Sequence, residues 1–205
     1  MSDGKTTILL IRHGETDWNA AGRWQGHSDI PLNDNGRRQS QALAQRLAAW
    51  PIQALYTSDL KRAKETADII AHSHEITPVL DAALRERYGG FFQGLTGEEI
   101  RSTYAAQWKM LIEGHDLEGI ESNTAAQERI WHAFEKITAT HQGEMIAFVS
   151  HGATLGLLIA KALGFTLAKR PRFTMRQNTG LSIIELDQNG PLVTLLNDAS
   201  HLNNW

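Results

Sequence analysis

The sequence predicts an α/β fold, a three-layer α/β/α sandwich with a mostly parallel central sheet, and three observations carry that prediction. Ile8 to Ile11 and Met145 to Val149 are short apolar runs, the pattern of strands buried in the middle of a parallel sheet. Segments of helical period lie between the strand-like runs, as parallel crossovers require. The order apolar run, histidine, glycine occurs twice, at His13-Gly14 and His151-Gly152. Each pair falls where a strand should end, at the sheet edge where open α/β folds bind ligands.

Taken in order, Ile8 to Ile11 is the first strand. The loop from Ala20 to Asn35, rich in Gly, Asp, Asn and Pro, should lie over its end and wall a pocket with Trp24-Gln25-Gly26-His27. Asn33 or Asp34 caps a helix from about Gly36 to Trp50, with Leu43 and Leu47 on its buried face and Pro51 stopping it. Ala54 to Thr57 is a second strand, and Ser58-Asp59 caps a helix whose first turns carry Arg62. A short strand is expected near Ile76 to Val79, followed by a shaped loop: Tyr88 to Gly94 holds three glycines and three aromatics in seven residues. Thr96 with Glu99 forms a capping box for a helix toward Ile112, and Ser122 to Thr124 opens another through Ile130, Phe134 and Ile137. Met145 to Val149 is a buried strand, and a helix over Leu155, Leu158, Ile159 and Leu163 follows His151-Gly152. Two strands, Gly180 to Leu186 and Leu192 to Leu196, close the chain, joined by Asp187-Gln188-Asn189-Gly190, whose Asn-Gly favours a hairpin turn.

At 205 residues with 41% apolar and 21% charged residues, the chain is expected to form one domain over 1–205. Its net charge of −3 argues against nucleic acid or an anionic membrane as partner, so any basic site must be local. The absence of cysteine removes disulfides, thiolate metal sites and cysteine nucleophiles together, and suits a reducing compartment. The polar start Met1 to Lys5 and the lack of any long apolar run predict neither a secretory leader nor a membrane span, and the cytoplasm is the expected location.

His13 and His151, with Arg12 and Arg62 in comparable positions at strand ends, can converge on one sheet edge. Two guanidinium groups match the oxygens of a tetrahedral oxyanion, and phosphate is the natural ligand. A histidine among fixed cations is favoured in its neutral form, so one of the two suits a nucleophile, and the cations would stabilise the phosphoryl group in transit. Glu86, on the glycine-rich loop, is the best placed proton donor, and Asn19 and the backbone after His13 can add hydrogen bonds. Gln25, Gly26, Arg87, Tyr88 and Gly152 are the further substrate-binding candidates, and Trp24, Phe91 and Phe92 either line the pocket or pack. No metal or other cofactor is expected, because the cations beside the histidines would repel a metal. The remaining histidines, including His27 and His201, are read as surface or locally bonded groups.

Leu10-Ile11-Arg12-His13-Gly14-Glu15-Thr16 with Trp18-Asn19 resembles the signature of the histidine phosphatase superfamily, the phosphoglycerate mutase-like proteins. Tyr56 to Ala63 with Thr66-Ala67 is similar to the family's second arginine motif, Leu84-Arg85-Glu86 with Gly94 to its acid loop, and Val149 to Gly152 to its second histidine motif. The resemblance covers nearly the whole chain and implies a phosphoglycerate mutase-like fold. It implies His13 as the phosphorylated nucleophile, Arg12, Arg62 and His151 as phosphoryl holders, Asn19 as their aid and Glu86 as proton donor.

The family holds both hydrolases and 2,3-bisphosphoglycerate-dependent mutases. Gly97 stands where mutases place a lysine, Lys109-Met110 where they place two arginines, and Ala153 where they have asparagine. These departures imply a phosphomonoesterase acting on small phosphorylated metabolites, with the mutase as the alternative and a catalytically silent phosphate- or protein-binding module as a third reading. A small phosphorylated substrate is the expected partner, and a homodimer is the assembly left open.

Overall fold

The computed structural model describes residues 4–167 and 173–203, so Met1 to Asp3 of the polar N-terminal stretch lie outside the described residues. Six strands form one sheet: β1 (Thr6–Arg12), β2 (Ile52–Thr57), β3 (Val79–Leu80), β4 (Met145–Ser150), β5 (Leu181–Asp187) and β6 (Gly190–Asp198). Their spatial order is β3-β2-β4-β1-β5-β6, with β3, β2, β4 and β1 mutually parallel and β5 antiparallel to β1 and β6. The helices are α1 (Asp17–Ala20), α2 (Asp34–Leu47), α3 (Lys61–His72), α4 (Gly97–Thr103), α5 (Ala105–Ile112), α6 (Asn123–Thr138) and α7 (Gly152–Ala162).

Alternation along the central strands sends side chains to two cores. Ile8, Leu10, Ile146 and Phe148 pack against Ile130, Phe134, Leu155 and Leu158 of α6 and α7. Leu9, Ile11, Ala147 and Val149 face Leu43, Leu47, Ala67 and Ile70 of α2 and α3. The expected three layers result, and each fully buried Leu, Ile or Phe contributes about 1.5–3 kcal/mol. A smaller cluster of Phe92, Ile100, Leu117 and Ile120, with Trp24 and Trp108 against it, sits under α4 and α5. It anchors the loops that wall the site.

Several local expectations are corrected. Ser58-Asp59 does not cap α3; Asp59 instead pairs with Arg85, and Asp29 from the preceding loop accepts the Lys61 N–H at 2.7 Å. The strand expected at Ile76 to Val79 begins only at Val79, because Pro78 has no N–H to give a sheet ladder. The helix expected from Thr96 toward Ile112 breaks at Tyr104, whose ring packs 5.0 Å from Phe91 and 5.8 Å from Phe92. The hairpin, by contrast, turns within Asp187 to Gly190 as expected: Gly190 pairs with Asp187, Gln188-Asn189 lie at the tip and the Asp187 carboxylate accepts the Asn189 N–H.

β1 and β4 are the two central strands, in register from Thr7 opposite Met145 to Arg12 opposite Ser150. The next residue on each strand is therefore a histidine beside a histidine. The His13 N–H donates to the Ser150 carbonyl at 3.0 Å, extending the ladder by one bond.

Candidate active site

The rings of His13 and His151 stand 5.1 Å apart, and their hydrogen bonds determine where each carries its proton. Nδ1 of His13 lies 2.6 Å from the Gly14 carbonyl. A carbonyl only accepts, so Nδ1 bears the hydrogen and Nε2 keeps its lone pair. Nδ1 of His151 accepts from Arg62 Nε at 3.2 Å, which leaves the hydrogen on Nε2. That Nε2 is buried and has no hydrogen-bond partner among the described residues, and the same holds for Arg12 Nε. Two orphaned donors beside one bare nitrogen form a receptor for an anion's oxygens.

Burial is the main reason that both imidazoles titrate well below 6.5, and the nearby Arg62 and Arg12 charges add to it. Burial also pulls Arg62 down to about 10, with Glu86 and Asp29 opposing, so it stays cationic near neutrality. Arg62 is fully buried and its guanidinium is fixed by the carbonyls of Ser28 at 2.7 Å and Gly26 at 2.8 Å. Gly26 meets this bond with φ +50, in the left-handed region, where a Cβ would collide with the Gln93 side chain at 2.2 Å. Arg12 is held by the carbonyls of Met175 and Arg176.

Gly14 follows the nucleophile candidate for a packing reason: a Cβ there would lie 2.5 Å from the Gly36 carbonyl at the start of α2. Its N–H donates to Thr66 Oγ1 on α3. Asn19 accepts the Thr16 N–H in the capping box of α1, which fixes its amide oxygen inward and leaves its NH₂ without a partner among the described residues.

Glu86 reaches the first turn of α7. Its Oε1 accepts from the N–H groups of Arg87 and Thr154 and from the Thr154 hydroxyl, at 2.9, 3.0 and 3.0 Å. Oε2 accepts from the Ala153 N–H, at 3.1 Å, and has fewer donors on it than Oε1 among the described residues, which leaves it the freer oxygen for carrying a proton.

A cavity of about 240 Å³ brings together Arg12, His13, Asn19, Arg62, Glu86 and Arg87, with Gln25, Gly26 and Trp24 also in its wall. Trp24 both lines the cavity and packs edge-on to Phe92 and Trp108. His151 is fully buried and is not among the residues that line this cavity. Tyr88 does not line the cavity, contrary to expectation; it is exposed and lies edge-on to His27, whose Nε2 is 2.7 Å from the Glu86 carbonyl. Gly152 lines a second, adjoining cavity of about 420 Å³ that shares Arg12, Glu86 and Ala153 with the first. Gly97, Lys109 and Met110 line neither cavity, whereas Ala153 stands at the junction of both.

Sequence reasoning missed Asn178 and Thr179. The Asn178 NH₂ and the Thr179 N–H both donate to the His13 carbonyl, at 3.0 and 3.3 Å. Thr179 holds φ +55, a costly conformation for a β-branched residue. Its hydroxyl donates to the Asn178 carbonyl and accepts from His201 Nε2 at 2.9 Å, so the C-terminal turn braces the backbone at His13. Of these three residues, only His201 is read from the sequence, as a surface or locally bonded group.

Burial, and then Arg46, pull His201 down to about 4, against the pull of Asp198. Three histidines at this site thus bind protons more readily in the unfolded chain. Their contribution to stability is present above about pH 6.5 and is lost as pH falls toward the folded values. The urea midpoint is expected to drop between about pH 7.5 and about pH 5.5, and to drop less in His201→Gln. A midpoint flat across that interval would contradict the neutral assignment of these rings.

Among the described residues, no group of three or more His, Cys, Asp or Glu is placed to hold a metal ion, and no helix is long and apolar enough to cross a membrane. Residues 8–199 match the histidine phosphatase superfamily (branch 1). A metal-independent phosphoserine phosphatase of Arabidopsis thaliana is 37% identical, over 97% of this chain and 84% of its own length. A probable phosphoglycerate mutase, GpmB, of Serratia proteamaculans is 35% identical, over 96% of this chain and 94% of its own. The structure of phosphoserine phosphatase from Entamoeba histolytica in complex with 3-phosphoglyceric acid superposes with a TM-score of 0.83 at 29% identity, covering 96% of this chain and 99% of that one.

Proposed function

The chain belongs to the histidine phosphatase superfamily, branch 1, and on that premise we propose that it hydrolyses small phosphomonoesters through a phosphohistidine on His13, with residues 1–205 acting as one catalytic unit. The observation that carries this reading is the pair of opposite tautomers: a lone pair on His13 Nε2 beside a donor on His151 Nε2. One ring can attack phosphorus while the other holds a phosphoryl oxygen.

In the first step the ester's phosphate lies among Arg12, Arg62, His151 Nε2–H and the Asn19 NH₂. His13 Nε2 forms a bond to phosphorus as the phosphorus–ester oxygen bond breaks, and the departing alkoxide takes the carboxyl proton of Glu86. The imidazole becomes cationic, and its Nδ1–H remains on the Gly14 carbonyl. The guanidinium charges are already fixed by backbone carbonyls, so they stabilise the spread of charge without reorganising. In the second step water attacks phosphorus, Glu86 takes the water's proton, and the phosphorus–nitrogen bond breaks to release phosphate.

Ala153 supports water as the final acceptor. It presents only a methyl group at the junction of the two cavities, where an amide would add a grip on a substrate that must turn over and be rephosphorylated. Gly97 and Lys109-Met110 carry less weight than the sequence suggested, because they stand away from both cavities. The test is partitioning. With 3-phosphoglycerate, 2,3-bisphosphoglycerate and EDTA present, release of inorganic phosphate is expected to exceed formation of 2-phosphoglycerate. The reverse ratio would make the chain a mutase.

A further inference from the structure

We propose that Arg129 and Glu121 are positioning residues for the reaction, a role that rests on Glu86 as the general acid. Together they clamp the chain on both sides of Glu86, so that its carboxyl stays aimed at the leaving oxygen while it carries the proton. The chain around Glu86 needs such a device. Residues 85–89 belong to no helix or strand and lie between two single 3₁₀ turns, Ala82–Leu84 and Gly90–Phe92. Backbone without a ladder of its own takes its place from the groups that pair with it.

Arg129, on α6, supplies one side. Its Nη1 donates to the carbonyls of Ala83 at 2.6 Å and Arg85 at 3.0 Å, ahead of Glu86. Its Nε and Nη2 form a two-pronged pair with the Glu121 carboxylate, at 2.8 and 2.9 Å. Glu121 supplies the other side. The same carboxylate accepts the Tyr88 N–H at 3.0 Å, and the Glu121 N–H donates to the Tyr88 carbonyl at 3.0 Å. These bonds grip positions 83, 85 and 88, and none of them uses the Glu86 carboxyl. The pair is mostly buried. Burial opposes the charge on Glu121, yet Arg129 and the Tyr88 N–H hold its carboxyl below the usual value.

Independence from the Glu86 carboxyl is what suits the clamp to catalysis. The bonds that Glu86 accepts from Thr154 and Ala153 are strongest when it is ionised, and protonation weakens them. The protonated form is the one that serves the leaving group. In that form the clamp, whose own charges do not change, keeps the turn in place.

The experiment measures kcat/KM for ethyl and p-nitrophenyl phosphate in Arg129→Leu and Glu121→Gln, each alone and combined with Glu86→Gln. Arg129→Leu is expected to slow ethyl phosphate by at least about tenfold and p-nitrophenyl phosphate by less than about threefold, since a misplacement of about 1 Å can cost about 10²-fold. Glu121→Gln should act in the same direction. Combined with Glu86→Gln, either substitution has no acid left to misplace and should change ethyl phosphate by less than about twofold. Circular dichroism and the urea midpoint check folding; if Arg129→Leu does not fold, Glu121→Gln, which keeps the volume, decides. Equal slowing of both esters, no slowing of either, or an effect that adds in full to that of Glu86→Gln would overturn the inference. If Glu86→Gln itself slows both esters alike, the acid reading falls and the clamp's role with it. Discrimination by Glu86→Gln that the Arg129 and Glu121 variants lack would overturn the inference alone.

Discussion

His13→Ala is expected to lower turnover of every phosphomonoester by at least about four orders of magnitude, the scale of losing a nucleophile whose partners remain. Quenching the unmodified protein during turnover should trap a phosphoprotein that is labile in acid and stable in base; the variant should trap none. The backbone around residue 13 does not depend on the ring. Its N–H bonds to Ser150 and its carbonyl is held by Asn178 and Thr179, all of which alanine keeps. The ring's own bond, to the Gly14 carbonyl, is local. A folded variant with no phosphoprotein therefore reads as lost chemistry. Retention of turnover or of the labile phosphate would move the nucleophile elsewhere.

Glu86→Gln is expected to slow ethyl phosphate by about 10²- to 10⁴-fold and p-nitrophenyl phosphate by less than about tenfold, because p-nitrophenolate leaves without needing a proton. Glutamine suits the test. Its carbonyl can take the Oε1 position and keep the bonds from Arg87 and Thr154, so the loop stays docked on α7. The change falls on Oε2, where an NH₂ replaces the oxygen that accepts from Ala153 and that the proposed mechanism uses to carry the proton. Equal slowing of both substrates would show that Glu86 holds the loop in place and does no more.

Much of the site was legible because it is written in local sequence. The strands that carry His13 and His151 are continuous apolar runs, and each histidine follows its run directly. Arg62 was legible for the same reason, being one position inside a helix that follows a strand. The capping box at Thr96 and the N-cap at Asn33 were readable, since both are short-range hydrogen bonds. Where the reading failed, a longer-range partner decided. Asp59 had the right spacing to cap α3 but was taken by Arg85, and Tyr104 broke a helix to pack on the Phe91 and Phe92 rings. Tyr88 sits two residues from Glu86, yet it turns outward onto His27.

By itself the sequence determined the strand ends, the chemistry placed on them and the family they belong to, because periodicity and spacing are properties of neighbours along the chain. Tertiary structure alone decided which nitrogen of each histidine carries its proton. It also decided that Asn178, Thr179 and His201 brace the backbone at His13 from more than 160 positions away, and that Glu86 borders two cavities. Each depends on a hydrogen bond or a wall formed between distant segments. Such contacts exist only once the sheet has brought β1 and β4 side by side.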